Sequence, residues 1–323
     1  MAMFKYVMKR IGLMLVVFII SSIISFTMIR LLVPDFEPVE GGIEMNIEQA
    51  RRAAMGLDRP IPVQLYRYVR RAVFDRDLGS SWHINKMMDV TEVIGRRLPP
   101  TMLLSIYSMF ISIPIGILLG IWAAVKKNKP TDHIISVGSM LFISVPSFVV
   151  AFFMQYFMGF RLGWFPIVAS SLHEADGSWL SMTMTHSLIM PVLALSFGGI
   201  AGFARATRAE LTEALTSDYM LLARTKGLTH ASAIRRHALR NSMVPIFPGI
   251  LGTFMGIFAG SIIIETIFAI GGMGPITLQA INTLDYDVFQ ASTMFYLIIG
   301  LTSGIIIDMS YGFVDPRIRM GER

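Results

Sequence analysis

The sequence predicts an all-α membrane protein with six transmembrane helices, and three observations carry that prediction. Several apolar runs of about 20 residues hold no charge, the length a helix needs to cross about 30 Å of hydrocarbon. Of the 323 residues, 54% are hydrophobic and only 15% charged, well below the roughly 25% charged of an ordinary soluble domain. Basic residues also gather in alternate connectors between the runs. The net charge of +6 therefore reports topology, and no nucleic-acid partner is expected. With no cysteine, disulfides, thiolate metal sites and cysteine nucleophiles are excluded.

Lys5, Lys9 and Arg10 precede the first apolar run, residues 11–29. It is longer than the apolar core of a signal peptide and no small-x-small cleavage site follows, so it reads as a retained span. Residues 1–31 thus form an N-terminus and first helix. Residues 32–100 differ in kind, with ten basic and ten acidic residues and Pro34, Pro38, Pro60, Pro62, Pro99 and Pro100 as punctuation. Two helices are expected there. One covers 47–55, capped by Asn46 and stopped by Gly56; the other runs over 63–74 with Leu65, Tyr66, Val69 and Val73 on one face. This is read as a small folded region outside the membrane.

Five further runs follow at 101–125, 134–159, 188–203, 244–264 and 288–307, none with Asp, Glu, Lys or Arg. They make residues 101–311 the transmembrane core and 312–323 a tail. Lys126, Lys127, Lys129, the basic stretch 205–241 and Arg317, Arg319 and Arg323 fall on the side of the N-terminus. The opposite side receives 32–100, a segment with Arg161, and 271–287 without a basic residue. The positive-inside rule makes both termini and 205–241 cytoplasmic, and 32–100 extracytoplasmic. Gly252, Gly256 and Gly260 recur at spacing four, a helix face allowing close approach. That face packs either inside the bundle or against a second subunit.

The search for chemistry is mostly negative. There is no G-x-x-x-x-G-K-[ST] loop for nucleotide phosphates, no H-E-x-x-H and no G-x-S-x-G elbow. The glycines at 271, 272 and 274 read as a turn. The six histidines are scattered without metal-ligand spacing, so no metal site is expected. The spans also lack the acidic groups by which ion-coupled transporters bind their ion; Glu265 and Asp308 sit at span ends. Energy for any transport must then enter from outside the chain.

The stretch 205–241 holds seven basic and three acidic residues. Ser217-Asp218 suits a helix start and Gly227 a helix stop. Between them Tyr219, Leu222, Ala223 and Lys226 lie at i, i+3, i+4, i+7, and Leu221 adds to the apolar character. So short a helix is marginal alone in water and needs packing. Thr229 or His230 then opens a basic helix through Arg235, Arg236 and Arg240. Spacing alone leaves two readings: a solvated basic loop that sets topology, or a docking element for a partner protein.

The residues Asp218-Tyr219, Ala223-Arg224-Thr225-Lys226-Gly227-Leu228 and Arg236-His237-Ala238-Leu239-Arg240-Asn241 resemble the cytoplasmic signature loop of bacterial ABC-importer permeases. The likeness is to the dipeptide/oligopeptide/nickel branch, where Leu221 and Leu222 replace the first residues of the general Glu-Ala-Ala-x-x-x-Gly pattern. Asp315-Pro316-Arg317-Ile318-Arg319, Glu265-Thr266-Ile267-Phe268, Gly56-Leu57-Asp58-Arg59-Pro60 and Asp77-Leu78-Gly79-Ser80-Ser81 are similar to that branch too. A large loop after the first span resembles its B-type permease. The resemblance implies a type I ABC-importer permease in a bacterial plasma (inner) membrane, itself without cofactor or catalytic residues. It implies a C-type permease, one or two ATPases carrying ATP and Mg, and an extracytoplasmic substrate-binding protein as partners. It further implies that Asp218 opens a coupling helix. Tyr219, Leu222 and Ala223 form its docked face, Arg224 and Lys226 contact the ATPase rim, and Gly227 makes the exit. Peptides, oligopeptides first, are the implied cargo, with dipeptide, glutathione and nickel as alternatives; pathway residues are unknown. A secondary transporter and a non-transporting scaffold are the rivals from other classes.

Overall fold

A computed structural model describes residues 2–31, 53 and 56–314. Its helices are α1 (Ala2–Leu31), α2 (Ile61–Arg70, continued by a π-turn Arg71–Asp75), α3 (Val90–Val125), α4 (Pro130–Ser144), α5 (Ser147–Met154, continued as a π-turn to Arg161) and α6 (Met182–Leu215). There follow α7 (Asp218–Thr225), α8 (His230–Ser242), α9 (Phe247–Met255, tightened into a 3-10 turn to Phe258), α10 (Ile262–Ile267), α11 (Met273–Asn282) and α12 (Tyr286–Val314). The expected helix 47–55 and the motif at 315–319 lie outside the described residues, apart from Ala53.

Among the described residues, four helical stretches are long and apolar enough to cross a membrane: Val7–Leu31, Val90–Val125, Met182–Leu215 and Tyr286–Ser310. Two bent pairs bring the number of spans to six if each crosses once. Run 134–159 is one of them and is not a continuous helix: α4 and α5 meet at 96°. Val145 is extended there (ψ 121°), the conformation that a following proline imposes, and Pro146 starts the next segment. The fifth run also differs from expectation. The pair α8 and α9 bends by 56°, the helix ends at Phe258, and α10 is a separate short helix. Gly252, Gly256 and Gly260 consequently do not share one helix face. Gly260 lies past the helix end at φ +63° and abuts Glu265 and Thr101, Gly256 opens the 3-10 turn with no contact, and Gly252 meets Ile307.

Two compact units divide the chain, one formed by residues up to Leu98 with Ile276–Leu301, the other by Pro99–Pro275 with residues from Thr302 onward. α3 runs unbroken through Pro99 and Pro100, which the sequence reading places at a boundary. Neither proline has an N–H, so the carbonyls of Gly95 and Arg96 lose their helical donors there.

Within the first unit, Phe26 of α1 packs on Tyr68 of α2 with centroids 5.5 Å apart. The Arg30 guanidinium lies over the Phe26 ring, and its Nε donates to Gln64 Oε1 at 2.7 Å. Buried Asp285, just before α12, accepts on one oxygen from the Ser81 hydroxyl and the N–H groups of Trp82, His83 and Ile84 at 2.7–3.2 Å. This ties the 81–84 turn to the start of the last helix. Gly79 sits at φ +99° against the Asp287 carboxylate, which explains a glycine in that turn. Of the face expected from sequence, Tyr66, Val69 and Val73 point outward, while Gln64 and Tyr68 face the unit.

In the second unit α3 and α6 touch backbone to backbone. A Cβ on Gly116 would stand 2.7 Å from the Ile200 carbonyl oxygen, and one on Gly120 2.6 Å from that of Ala204. The Ser196 hydroxyl also bonds that of Ser108 at 3.1 Å. This is small-residue packing at spacing four, on α3 rather than at 252–260.

Glu265 is wholly buried and staples the 260–274 region. It accepts the N–H of Ser261 at 3.2 Å, that of Gly274 at 3.0 Å in the first turn of α11, and the Thr101 hydroxyl. Burial pushes its carboxyl above the usual range, opposed by these bonds. The acid at this apparent span end is thus a structural cap. Glu265→Ala leaves the buried Gly274 amide and the half-buried Ser261 amide unpaired, the first alone costing about 1–3 kcal/mol. The expected outcome is a melting temperature several degrees lower for the purified chain. An unchanged melting temperature would contradict the staple.

Candidate coupling surface

The polar stretch 205–241 is not a loop from its first residue, because α6 continues through it to Leu215. At 1.5 Å per residue its 34 residues span on the order of 50 Å, against about 30 Å of hydrocarbon. α6 therefore carries its own C-terminal end clear of an apolar layer. Its start is fixed by Ser181, whose hydroxyl accepts the Met184 N–H at 3.1 Å.

A tight turn then reverses the chain. Ser217 takes the extended conformation of a helix-capping residue, but its hydroxyl donates back to the Ala214 carbonyl at 2.6 Å instead of capping α7. α7 holds Met220 and Ala223 three residues apart, so both fall on one face. That face is buried among Ala124, Leu211, Ala214, Ala233, Ile234 and Ala238. The small side chains of this cradle let a two-turn helix sit close against α6 and α8.

The opposite face is apolar and open. Tyr219 is 37% exposed, Leu221 66% and Leu222 55%. Fully burying a leucine contributes about 1.5–3 kcal/mol, so the two leucines hold roughly 2–4 kcal/mol that a partner surface can realise. Asp218, Arg224 and Lys226 stand exposed at the two ends of α7, and Arg235, Arg236 and Arg240 are exposed along α8. Thr229 is the residue that opens α8, its hydroxyl accepting the Ser232 N–H.

The exit from α7 follows the Schellman pattern. Gly227 N–H donates to Arg224 O at 3.0 Å and Leu228 N–H to Ala223 O at 3.3 Å, with Gly227 at φ +88°. Leu228 folds back onto the cluster beside Ala223. A Cβ on Gly227 would meet nothing within 4 Å, so conformation and not crowding demands glycine. Replacements should therefore rank by tolerance of positive φ: Gly227→Asn mildest, Gly227→Ala costing about 1–2 kcal/mol, Gly227→Val worst. Uptake measured across that series should fall in the same order, with membrane insertion unchanged; a size-ranked order would contradict it.

Of the predicted site residues, Asp218, Tyr219, Leu222, Arg224 and Lys226 are exposed around α7, and Gly227 is its stop. Ala223 departs from expectation: it faces the cradle, not the outside. Met220, which the spacing did not single out, is its partner there, and Leu221 takes the place on the outer ridge. The sequence reading also missed Asp132. This buried carboxylate accepts from Arg208 Nε and, at 2.8 Å, Nη2, from the Asn128 N–H at 2.9 Å and from the Ser136 hydroxyl at 3.2 Å. The pair locks the basic 126–129 turn and the start of α4 to the end of α6. Nothing local marks it, since 76 residues separate the partners.

The family model described as the binding-protein-dependent transport system inner membrane component matches residues 116–320, which include α6, α7 and α8. A second model, for the N-terminal part of such membrane components, matches residues 3–105. The chain belongs to this family of transport-system membrane components and is a multi-pass membrane protein. It is 35% identical over 320 residues to the dipeptide transport system permease protein DppB of Lactococcus lactis subsp. cremoris (strain MG1363), covering 98% of this chain and 100% of the relative. DppB of Bacillus subtilis (strain 168) is 31% identical over 323 residues, covering 99% and 100%. Among solved structures, a chain of the MetNI methionine ABC transporter, from a study of its inward-facing conformations, matches with TM-score 0.52 at 16% identity. It covers 69% of this chain and 97% of that one, which shows a shared fold.

Proposed function

We propose that this chain is the membrane-spanning B-type permease subunit of an ATP-driven peptide importer. It forms half of the translocation pathway and performs no chemistry itself. The observation that carries the reading is α7, a short helix gripped from behind and apolar in front, held beyond the apolar layer by α6. Such a helix suits a groove on a cytoplasmic ATPase, with Tyr219, Leu221 and Leu222 as the inserted ridge and Arg224 and Lys226 at the rim. Closure of two ATPase subunits around ATP and Mg would push α7, and the Met220–Ala223 cradle would pass that movement to α6 and α8.

In this reading the chain crosses six times, with α4–α5 and α8–α9 as broken spans. Both termini and α7 are cytoplasmic, and 32–100 is extracytoplasmic, in a bacterial plasma membrane. A C-type permease completes the pathway and an extracytoplasmic binding protein delivers cargo. The names of the relatives support peptides as that cargo and favour dipeptides at least as much as the oligopeptides expected from sequence. A secondary transporter is the main rival. Uptake by the reconstituted transporter, with an uncoupler present and ATP maintained, separates the two. Unchanged uptake is the expected result, and its collapse would favour ion coupling.

A further inference from the structure

The first unit holds a second apolar face that is exposed among the described residues, and its placement says what covers it. α2 is amphipathic in the reverse of the usual sense. Two polar side chains at its centre point inward: Gln64 is buried and bonded to Arg30 and to the Arg59 carbonyl, and Tyr68 is buried against Phe26. Its apolar side chains point outward, with Val63, Tyr66, Val69, Val73 and Phe74 between 39% and 79% exposed. Tyr66, Val69 and Val73 follow helical spacing, and Arg67 and Arg70, both exposed, run along one edge of that stripe.

Depth is set by what Tyr68 touches. Its ring packs on Phe26, five residues before the end of the span Val7–Leu31. Its hydroxyl reaches the Met294 sulfur at 3.5 Å, eight residues into the span Tyr286–Ser310. At 1.5 Å per residue these contacts lie about 7–12 Å inside the span ends. An interfacial helix buries its apolar face about 5–10 Å into the boundary between headgroups and acyl chains. α2 is therefore held beside the ends of two membrane spans, with its apolar stripe turned away from them.

We propose that α2 lies in the membrane interface, Tyr66, Val69 and Val73 in the acyl boundary and Arg67 and Arg70 reaching lipid phosphates. The apolar stripe then needs no protein cover, and the basic edge meets groups of opposite charge. The inward-facing polar set, odd for a soluble helix, follows because lipid is the apolar phase here. This assignment stands on the membrane character of the chain and is independent of what the transporter carries.

The chain has no cysteine, so each single cysteine is the one thiol of this subunit, and the unsubstituted transporter treated alike gives the background from its partners. Tyr66→Cys, Val69→Cys and Val73→Cys would each carry a fluorophore in the assembled transporter, reconstituted into phosphatidylethanolamine–phosphatidylglycerol vesicles. Lipids brominated near the headgroup end of the chain and aqueous iodide serve as quenchers. Val17→Cys in the first span and Lys127→Cys in the exposed turn are the lipid and water references. At 66, 69 and 73 the brominated lipid should quench at least about threefold more than at 127, and iodide should quench weakly. Strong iodide quenching would place the stripe in water, and silence to both quenchers would place a protein over it. Either result overturns the assignment.

Discussion

Replacing Leu221 and Leu222 together by alanine should abolish ATP-driven uptake while leaving the chain folded and inserted. Alanine is the best helix former, so α7 itself is not weakened. Both side chains lie on the face away from the Met220–Ala223 cradle, so the cradle stays filled. What disappears is the apolar ridge. Roughly 2–4 kcal/mol of burial against the ATPase is lost, which weakens docking roughly 30- to 1,000-fold at 1.4 kcal/mol per tenfold. ATPase co-purifying with the complex should drop accordingly. Met220→Ala is the informative contrast, because it empties the cradle and costs about 2–5 kcal/mol of stability. Its defect should appear as a lower melting temperature, which the double alanine variant should not show. Full uptake by the double variant would remove the ridge from the mechanism.

Asp132→Ala should be among the most destabilising single changes on the α6 side of the molecule. It strands the Arg208 guanidinium, the Asn128 N–H and the Ser136 hydroxyl. Breaking a buried ion pair typically costs 3–5 kcal/mol, and the one-third exposure of Arg208 puts this case near the lower end. For a chain of this size about 3 kcal/mol corresponds to roughly 6–12 °C in melting temperature. Arg208→Met should cost a comparable amount by leaving the carboxylate buried alone. Asp132→Leu combined with Arg208→Met should recover much of the loss, since an apolar pair of similar volume is often tolerated. Additive single-variant losses in that cycle would mean that the two groups do not act as a pair.

These cases show what could be read from the sequence. The runs without charge were visible because hydrocarbon excludes charge, and each has a helical counterpart here. α7 was legible within a residue because its ends are chemical: Asp218 follows an N-capping serine position, and Gly227 alone suits φ +88°. Its orientation was not. Eight residues make barely two turns, and nearly every position from 219 to 223 is apolar, so periodicity cannot say whether Ala223 or Leu221 faces outward. The breaks at 144–147 and 258–261 were hidden because proline and glycine also occur in continuous membrane helices, as Pro114 does in α3. In α2 the spacing shows the stripe but not its direction, since a helix beside lipid turns its apolar side away from the protein. The Asp132–Arg208 pair is a tertiary fact without a local signature.

Site-directed photo-cross-linking tests the central claim most directly. A photoreactive residue placed singly at Tyr219, Leu221 or Leu222 in the assembled transporter should cross-link to the ATPase subunit, and one at Tyr66 should not. The yield at 221 and 222 should change when ATP is added. Absence of ATPase adducts from all three positions, with adducts forming from elsewhere in the chain, would contradict α7 as the coupling element.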